Sequence, residues 1–225
     1  MSFSLDEIQL RVLGCLLEKE LTTPEYYPLT LNALVNACNQ KSNRNPVMNL
    51  SEGQVKEALQ GLEALSLAWA KNLKGDRVTK YAHKLSGTLS RTLDFDRRER
   101  AVLSVLFLRG SQTPGEIKAR TGRMAEFPDL DDVQAVLHTL AEREDGPFVV
   151  ELPREPGRRE SRFAHLFGAA APAMSHESSP PHAADRPAQD AQRIDQVESR
   201  LGGLEREIEA LKDELSKIKQ ALGAD

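Results

Sequence analysis

The amino-acid sequence predicts a mainly α-helical protein of the α+β class, in which small β-hairpins accompany the helices. The first observation is a repeat, because three helical segments followed by a β-hairpin occur twice along the chain. The second is a heptad pattern of apolar residues near the C-terminus, which is typical of a coiled-coil helix. Three helices followed by a hairpin are typical of a winged-helix domain, so the repeat predicts two such domains in tandem.

The domain boundaries follow from these patterns. We expect one winged-helix domain at residues 4–88 and a second at 94–168. Residues 169–191 are rich in Ala, Pro and Ser and lack apolar periodicity, which predicts a flexible linker. The heptad pattern places the C-terminal coiled-coil helix at 192–223.

The first copy begins with Ser4-x-x-Glu7, a capping-box pattern that predicts a helix ending near Glu20. A turn at Thr23-Pro24 precedes a short helix, and Ser51 is placed to cap a third one. The sequences "LAWAKNL" and "VTKYAHKL" then alternate as strands and predict a hairpin turning at Lys74-Gly75-Asp76-Arg77.

The second copy repeats this order. Asp96-x-x-Glu99 predicts a capped first helix, Thr113-Pro114 a short second helix, and Asp129 the start of a third. "FVVEL" and "SRFAHLF" flank a turn-rich segment and predict the second hairpin. The sequences "YAHKL" and "FAHLF" occupy equivalent places in the two copies, which supports a duplication.

The apolar seam of the C-terminal helix predicts self-association, most simply as a homodimer. Opposite charges at the flanking positions favour a parallel pair, while antiparallel pairing or folding back onto the body stays open. The residues expected to form the dimer contact are Val197, Leu201, Leu204, Ile208, Leu211, Leu215 and Ile218.

Composition narrows the classes of protein. No apolar run approaches the roughly 20 residues that span a bilayer, and the N-terminus lacks a signal-peptide pattern, so we expect a cytoplasmic protein without membrane contact. Cys15 and Cys38 form no C-x-x-C pair and are expected to be buried free thiols. Residues 169–225 carry 7 Lys/Arg and 11 Asp/Glu and hold the whole net charge of −4, which leaves residues 1–168 neutral.

No enzymatic motif is present, so we expect a protein that is not an enzyme and has no catalytic, cofactor-binding or metal-binding residues. Asp94-x-Asp96 could suggest a metal, but Asp96 is already needed as a helix cap. His83 and His165 occupy equivalent positions in the two hairpins, which favours a packing role in each.

Basic residues concentrate in the hairpins, or wings, and in the loop before the third helix. Flexible cations can follow a nucleic-acid backbone and release its counterions, although solvated turns are also commonly charged. The candidate nucleic-acid contacts are Lys41, Arg44, Lys71, Lys74, Arg77, Lys80, Arg154, Arg158, Arg159 and Arg162. In the loop, Asn and Ser side chains can bond the backbone, whereas Lys41 and Arg44 have no evident structural need, so a functional role is expected to rest on them.

The third helix of each copy argues against DNA binding. In a DNA-reading winged helix this helix usually enters the major groove. Here its outward face carries Glu52 and Glu57 in the first copy and Asp131 and Glu142 in the second, and carboxylates there would repel phosphate. The second copy in particular is better suited to a protein partner.

The stretch "LTTPEYYPLTLNALVNACNQKSNRNPVMNLSE", with the later "RVTKYAHKL", resembles the YceH-like family of uncharacterised bacterial proteins. The resemblance covers about residues 4–168 and implies a tandem winged-helix fold. It implies no activity, substrate or catalytic residue.

Two functions therefore remain as expectations. The first is a DNA-associated protein, regulatory in role, that contacts double-stranded DNA through its wings. The alternative is a protein–protein interaction module of a larger complex, such as a chromosome-organising one, that does not bind DNA. The fold does not choose between them, because winged helices serve both purposes.

Overall fold

The computed structural model describes residues 3–71, 78–87 and 93–168. The predicted linker, the predicted coiled-coil helix with its dimer seam, and the wing residues Lys74 and Arg77 lie outside these described residues. Six α-helices and two small antiparallel sheets make up the described part, which confirms a mainly helical α+β fold. None of the described helices has the length and apolar character needed to cross a membrane.

The first half contains three helices and a three-stranded sheet. The sheet order is β1-β3-β2, with Leu29 opposite Tyr81 and Ala68 opposite His83. The two-residue strand β1 was not predicted from the sequence. The elements are α1 (Glu7–Thr22), a 3-10 turn (Pro24–Tyr26), β1 (Leu29–Thr30), α2 (Leu31–Cys38), α3 (Glu52–Ala64), β2 (Ala68–Lys71) and β3 (Lys80–His83).

Side-chain caps set the helix starts. Ser51 caps α3 with Gln54 in a reciprocal capping box, and Thr30 caps α2. The cap predicted at Ser4 is wrong, because Asp6 caps α1 together with Gln9. The chain before Asp6 is instead extended, since Leu5 forms a bridge with Gly168.

The second half repeats the order of elements. The caps predicted at Asp96, Thr113 and Asp129 are all present. A bridge between Gln112 and Phe163 occupies the place that β1 has in the first half. The elements are α4 (Arg97–Arg109), α5 (Pro114–Thr121), α6 (Leu130–Glu142), β4 (Val149–Glu151) and β5 (Phe163–His165).

The two halves belong to one compact unit and share a continuous hydrophobic core. The central contact is between α1 and α4, each of which is buried along most of its length. Gly14 lies at the crossing, where a Cβ atom would stand 2.9 Å from Leu108 Cδ2 and 3.0 Å from Phe107 Cβ. The absence of a side chain at Gly14 is therefore what lets the helices approach this closely.

The ends of the described unit also tie the halves together. The Leu5 N–H donates to the Phe167 carbonyl at 2.8 Å, beside the bridge to Gly168. The Phe3 ring stacks on Phe167 with centroids 5.2 Å apart. The N-terminal residues of the first half thus pair with the last residues of the second.

Replacing Gly14 by Ala is expected to lower the free energy of unfolding by about 1–2 kcal/mol, because overpacking at a buried helix crossing outweighs the better helix propensity of Ala. Chemical denaturation followed by circular dichroism measures this. The matched control is Gly53→Ala, which also lies in a helix but meets only Ser51 Oγ at 3.9 Å. That control should be neutral or stabilising, and a Gly14→Ala protein as stable as the control would contradict the close packing.

Candidate nucleic-acid interface

The loop at residues 39–50 is held in shape by asparagine side chains. Asn39 closes it, since its Nδ2 donates to the Leu50 carbonyl at 2.8 Å and its Oδ1 accepts from the Leu50 N–H at 2.7 Å. Asn43 adopts a positive φ of 58°, a conformation that Asn tolerates better than most residues. The predicted structured connection between α2 and α3 agrees with these contacts, and the side chain that bonds the backbone across it is that of Asn39.

The expectation that Arg44 has no structural role is wrong. Its side chain is 0% exposed, and its guanidinium binds the Glu18 carboxylate with N···O distances of 2.6 and 3.1 Å. It also donates to the Ala37 and Asn43 carbonyls and to Gln40 Oε1. The sequence shows a cation in a polar loop, but the tertiary fold turns its side chain inward. Arg44 is therefore not available to contact nucleic acid.

The same loop packs against the second half. The Asn45 N–H donates to the Leu108 carbonyl at 2.8 Å, near the end of α4, and Arg109 donates to Asn43 Oδ1 at 3.0 Å. The last carbonyl groups of a helix have no intrahelical partner, and the loop supplies a hydrogen-bond donor to one of them. This polar loop therefore joins the two halves, while Lys41 remains exposed on it.

A second buried arginine lies beneath the loop. Arg11 is 1% exposed and donates to the Cys38 and Pro46 carbonyls, while its Nε has no hydrogen-bond partner. Burial lowers the pKa of Arg11 from its ordinary value. Cys15 and Cys38 are buried free thiols in the same region, as predicted.

The described wing residues differ in how free their cations are. Arg154 and Arg159 are exposed on the second wing, and Arg158 is exposed beside Glu155 at 3.6 Å. Arg162 is bound to Glu116 at 2.9 Å and donates to the Ser111 carbonyl at 2.8 Å. In the first wing, Lys71 and Lys80 are half-buried and lie opposite each other in the sheet register.

The third helices of the two halves, α3 and α6, present carboxylates to solvent. Glu52 and Glu57 are exposed on α3, and Asp131 and Glu142 are exposed on α6. Asp132 is partly neutralised by Arg98, with atoms 3.2 Å apart. The acidic outward faces predicted from the sequence are present, and they are unsuited to lie against phosphate.

Sequence reasoning missed Arg109 and Arg120, which together with Arg162 we call the arginine cluster. Arg120 donates to Gln112 Oε1 and lies 3.9 Å from the same Glu116 carboxylate that binds Arg162. The i,i+4 spacing of Glu116 and Arg120 was visible in the sequence, but the contact of Arg162 with Glu116 and that of Arg109 with Asn43 were not.

His83 has the packing role predicted for it. Its Nδ1 accepts from the Leu85 N–H at 3.1 Å, so its Nε2 carries the hydrogen that reaches Glu20 at 2.8 Å. Burial would raise the pKa of Glu20, but the His83 hydrogen bond and the neighbouring arginines outweigh it and lower that pKa. Arg100 of α4 also approaches Glu20 at 3.4 Å, so this cluster fixes the first wing to both α1 and α4.

His165 occupies the equivalent strand position but has a different environment. Its ring packs edge-on against Phe107 with centroids 5.1 Å apart, and its Nδ1 is buried without a hydrogen-bond partner. Burial lowers the pKa of His165 to about 4. Within the part of the chain that the structure describes, no group of three or more His, Cys, Asp or Glu side chains is arranged to hold a metal ion.

Comparisons with known proteins agree with the resemblance seen in the sequence. Residues 5–158 match the family model described as "Protein of unknown function, DUF480". The UPF0502 protein YceH of Salmonella newport is 44% identical over 222 residues, covering 99% of this chain and 96% of the relative. The protein of the same description from Salmonella heidelberg matches to the same extent. The resemblance to YceH-like proteins is thereby confirmed.

Replacing Arg44 by Ala is expected to lower the free energy of unfolding by about 3–5 kcal/mol, because it removes the hydrogen-bonded partner of the half-buried Glu18, leaving Lys19 at 3.4 Å, and the donors to the Ala37 and Asn43 carbonyls. Lys41→Ala, an exposed change in the same loop, should stay within about 0.5 kcal/mol. Denaturant unfolding of both variants measures the contrast. Equal, small effects would mean that Arg44 is as solvated as Lys41.

The stability of the protein is expected to depend on His165 in mild acid. Because its folded pKa of about 4 lies below the ordinary 6.5, the unfolded chain binds a proton first and stability falls as the pH drops between these values. The wild type should lose free energy of unfolding between neutral pH and pH near 4, and His165→Phe should lose about 2–3 kcal/mol less over the same range. The exposed His138, changed to Ala, should leave that pH profile as in the wild type, and an unaltered profile for His165→Phe would refute the assignment.

Proposed function

The chain belongs to the DUF480 family of proteins of unknown function, and we propose that it is a non-enzymatic protein that associates with duplex DNA. We assign each half to the winged-helix fold. The order of helices and strands in both halves and the sheet order β1-β3-β2 of the first half support this assignment. The second half supports it with the Gln112–Phe163 bridge in the place of β1.

The observation that carries the proposal is the exposed cationic second wing. Residues 152–162 contain Arg154, Arg158, Arg159 and Arg162 against two glutamates, and the first three arginines are exposed. Arginine side chains bind phosphate through several hydrogen-bond donors, and exposed arginines can do so without breaking contacts in the protein interior. Each phosphate neutralised releases counterions, which supplies affinity that does not depend on sequence.

The acidic faces of α3 and α6 determine what kind of contact is proposed. A helix that presents Glu52 and Glu57, or Asp131 and Glu142, would meet strong repulsion in a major groove. We therefore propose backbone contacts by the wings in place of base reading by the third helices. A role in regulation, and a cytoplasmic location, would follow from DNA association combined with self-association through the heptad seam.

A protein–protein interaction module is the second candidate. Exposed apolar residues lie beside the same acidic faces, with Leu65 at the end of α3 44% exposed and Leu130 at the start of α6 40% exposed. An apolar side chain ringed by carboxylates suits a basic protein partner better than DNA. This candidate requires the faces of α3 and α6 to be the functional surface.

Salt dependence separates the two candidates. Duplex affinity is expected to fall steeply from low to physiological salt, and Arg158→Ala with Arg159→Ala should flatten the log–log slope by about 1 unit per lost phosphate contact. Lys74→Ala with Arg77→Ala tests the first wing in the same way. Fluorescence anisotropy of a labelled duplex over a salt series provides the measurement.

The control for this experiment is Lys56→Ala, which removes an exposed cation from α3. It should leave the slope unchanged, since α3 is not proposed to touch the duplex. A slope flattened as much by Lys56→Ala would place α3 on the DNA instead. Absence of duplex binding at low salt, with recovery of a protein partner that Glu57→Lys or Leu130→Asp abolishes, would establish the second candidate.

A further inference from the structure

Two arginines lie against one carboxylate at the start of α5, and a third arginine, Arg109, stands at the neighbouring end of α4. Arg162 binds Glu116 through both guanidinium nitrogens, at 2.9 and 3.3 Å, and Arg120 lies 3.9 Å from the same oxygen that accepts the shorter bond. Arg109 enters from the end of α4 and is bonded to Asn43 at 3.0 Å. The side chains of Arg120 and Arg162 are 27% and 31% exposed, so a ligand in solvent can reach them.

The cluster carries more positive charge than its acids neutralise. Glu116 is shared, and its Oε2 also accepts the Thr113 N–H of the capping box at 3.0 Å. Glu160 lies close by, with Oε2 3.7 Å from the position of a Cβ on Gly115. Burial first, and then the charge of Arg120, lowers the pKa of Arg109, while the charge of Glu116 opposes this shift.

The cluster also occupies a defined place in the fold. Arg162 immediately precedes β5, at the base of the second wing, and Leu152 donates its N–H to the Arg162 carbonyl at 2.7 Å. Arg109 abuts the loop of the first half that displays Lys41. The cluster therefore joins the base of the second wing, through Arg162, to the junction of the two halves, through Arg109.

We propose that the arginine cluster binds a backbone phosphate of duplex DNA, so that the duplex crosses the junction of the two halves as well as the second wing. This inference rests on the proposed DNA association and adds Arg109 and Arg120 to its contacts. Charge complementarity selects a phosphodiester backbone, because guanidinium groups bind phosphate with several parallel hydrogen bonds. Arg162 belongs both to the second wing and to the cluster, so a duplex that contacts the wing has a phosphate-binding group of the cluster at the base of that wing.

Glu116 has a distinct part in this proposal. In the free protein it accepts hydrogen bonds from Arg162 and lies 3.9 Å from Arg120, so an arriving phosphate must compete with it for Arg162 and for the charge of Arg120. Removing its charge is expected to strengthen DNA binding, whereas a carboxylate with a merely structural role would weaken it or have no effect when changed. The proposal thus predicts a gain from one substitution and a loss from its neighbours.

Glu116→Gln tests the gain. A glutamine preserves the capping box, because its amide oxygen can accept the Thr113 N–H as the carboxylate does. The full-length variant is expected to bind labelled duplexes of two unrelated sequences more tightly than the wild type at the same low salt, by about threefold to tenfold. Unchanged or weaker binding in a variant with wild-type thermal stability would overturn the proposal.

Arg109→Gln with Arg120→Gln tests the loss. This double variant should weaken binding to both duplexes by a similar factor and flatten the salt slope by roughly 1 unit, for the one phosphate contact that is lost. The matched control is Arg98→Gln with Arg97→Gln, which removes the same charge at the opposite end of α4. Equal effects of the two doubles would mean that net charge alone, and not the cluster, is responsible.

The outcomes separate this inference from the function on which it rests. If Arg158→Ala with Arg159→Ala flattens the salt slope but the Arg109/Arg120 double does not, the duplex touches the wing alone and the inference is wrong while DNA association stands. If the wild type binds no duplex at low salt, DNA association fails and the inference fails with it. Both results are read from the same anisotropy series.

Discussion

The close crossing of α1 and α4 is the constraint on which the rest of the structure depends. A hydrogen atom in place of a side chain at Gly14 lets Leu108 and Phe107 pack directly on α1. That approach brings the end of α4 under the loop of the first half, where the Asn45 N–H reaches the Leu108 carbonyl. It also brings Arg100 to Glu20, so the first wing is fixed by the same packing. Two domain-sized repeats are thereby joined into one body.

Two arginines, Arg11 and Arg44, are buried beneath the loop, which costs desolvation free energy. Burying a guanidinium is unfavourable unless its donors are satisfied, and Arg44 meets this condition with one carboxylate and three further oxygen acceptors. Arg11 meets it less fully, since its partners are two backbone carbonyls. Each arginine holds a loop carbonyl in place, and one of the two cations of the loop, Arg44, is directed into the protein while Lys41 stays exposed. This explains a cationic, asparagine-rich segment without requiring it to bind a ligand.

The sequence predicts those features that depend on neighbours along the chain. The caps at Ser51, Asp96 and Asp129, and the buried thiols, follow from local spacing and apolar periodicity. The sequence does not predict the roles of residues that depend on distant parts of the chain. Arg44 turns inward to Glu18, 26 positions away, and β1 exists only because β3 pairs with it. The arginine cluster belongs to the same class, because its members come from α4, α5 and the second wing.

A comparison of the two halves shows where the molecule has placed its accessible charge. The caps Thr30 and Thr113 align α2 with α5, which puts Ala33 opposite Glu116 and Ala37 opposite Arg120. In the first half Ala37 is buried and its carbonyl accepts a hydrogen bond from Arg44, while Ala33 is exposed. In the second half the same positions carry long charged side chains that remain partly exposed. The second half thus carries a carboxylate and a guanidinium where the first half carries two alanines, so its surface at these positions is the more charged one. This favours the second wing and the junction of the two halves, over the third helices, as the functional surface.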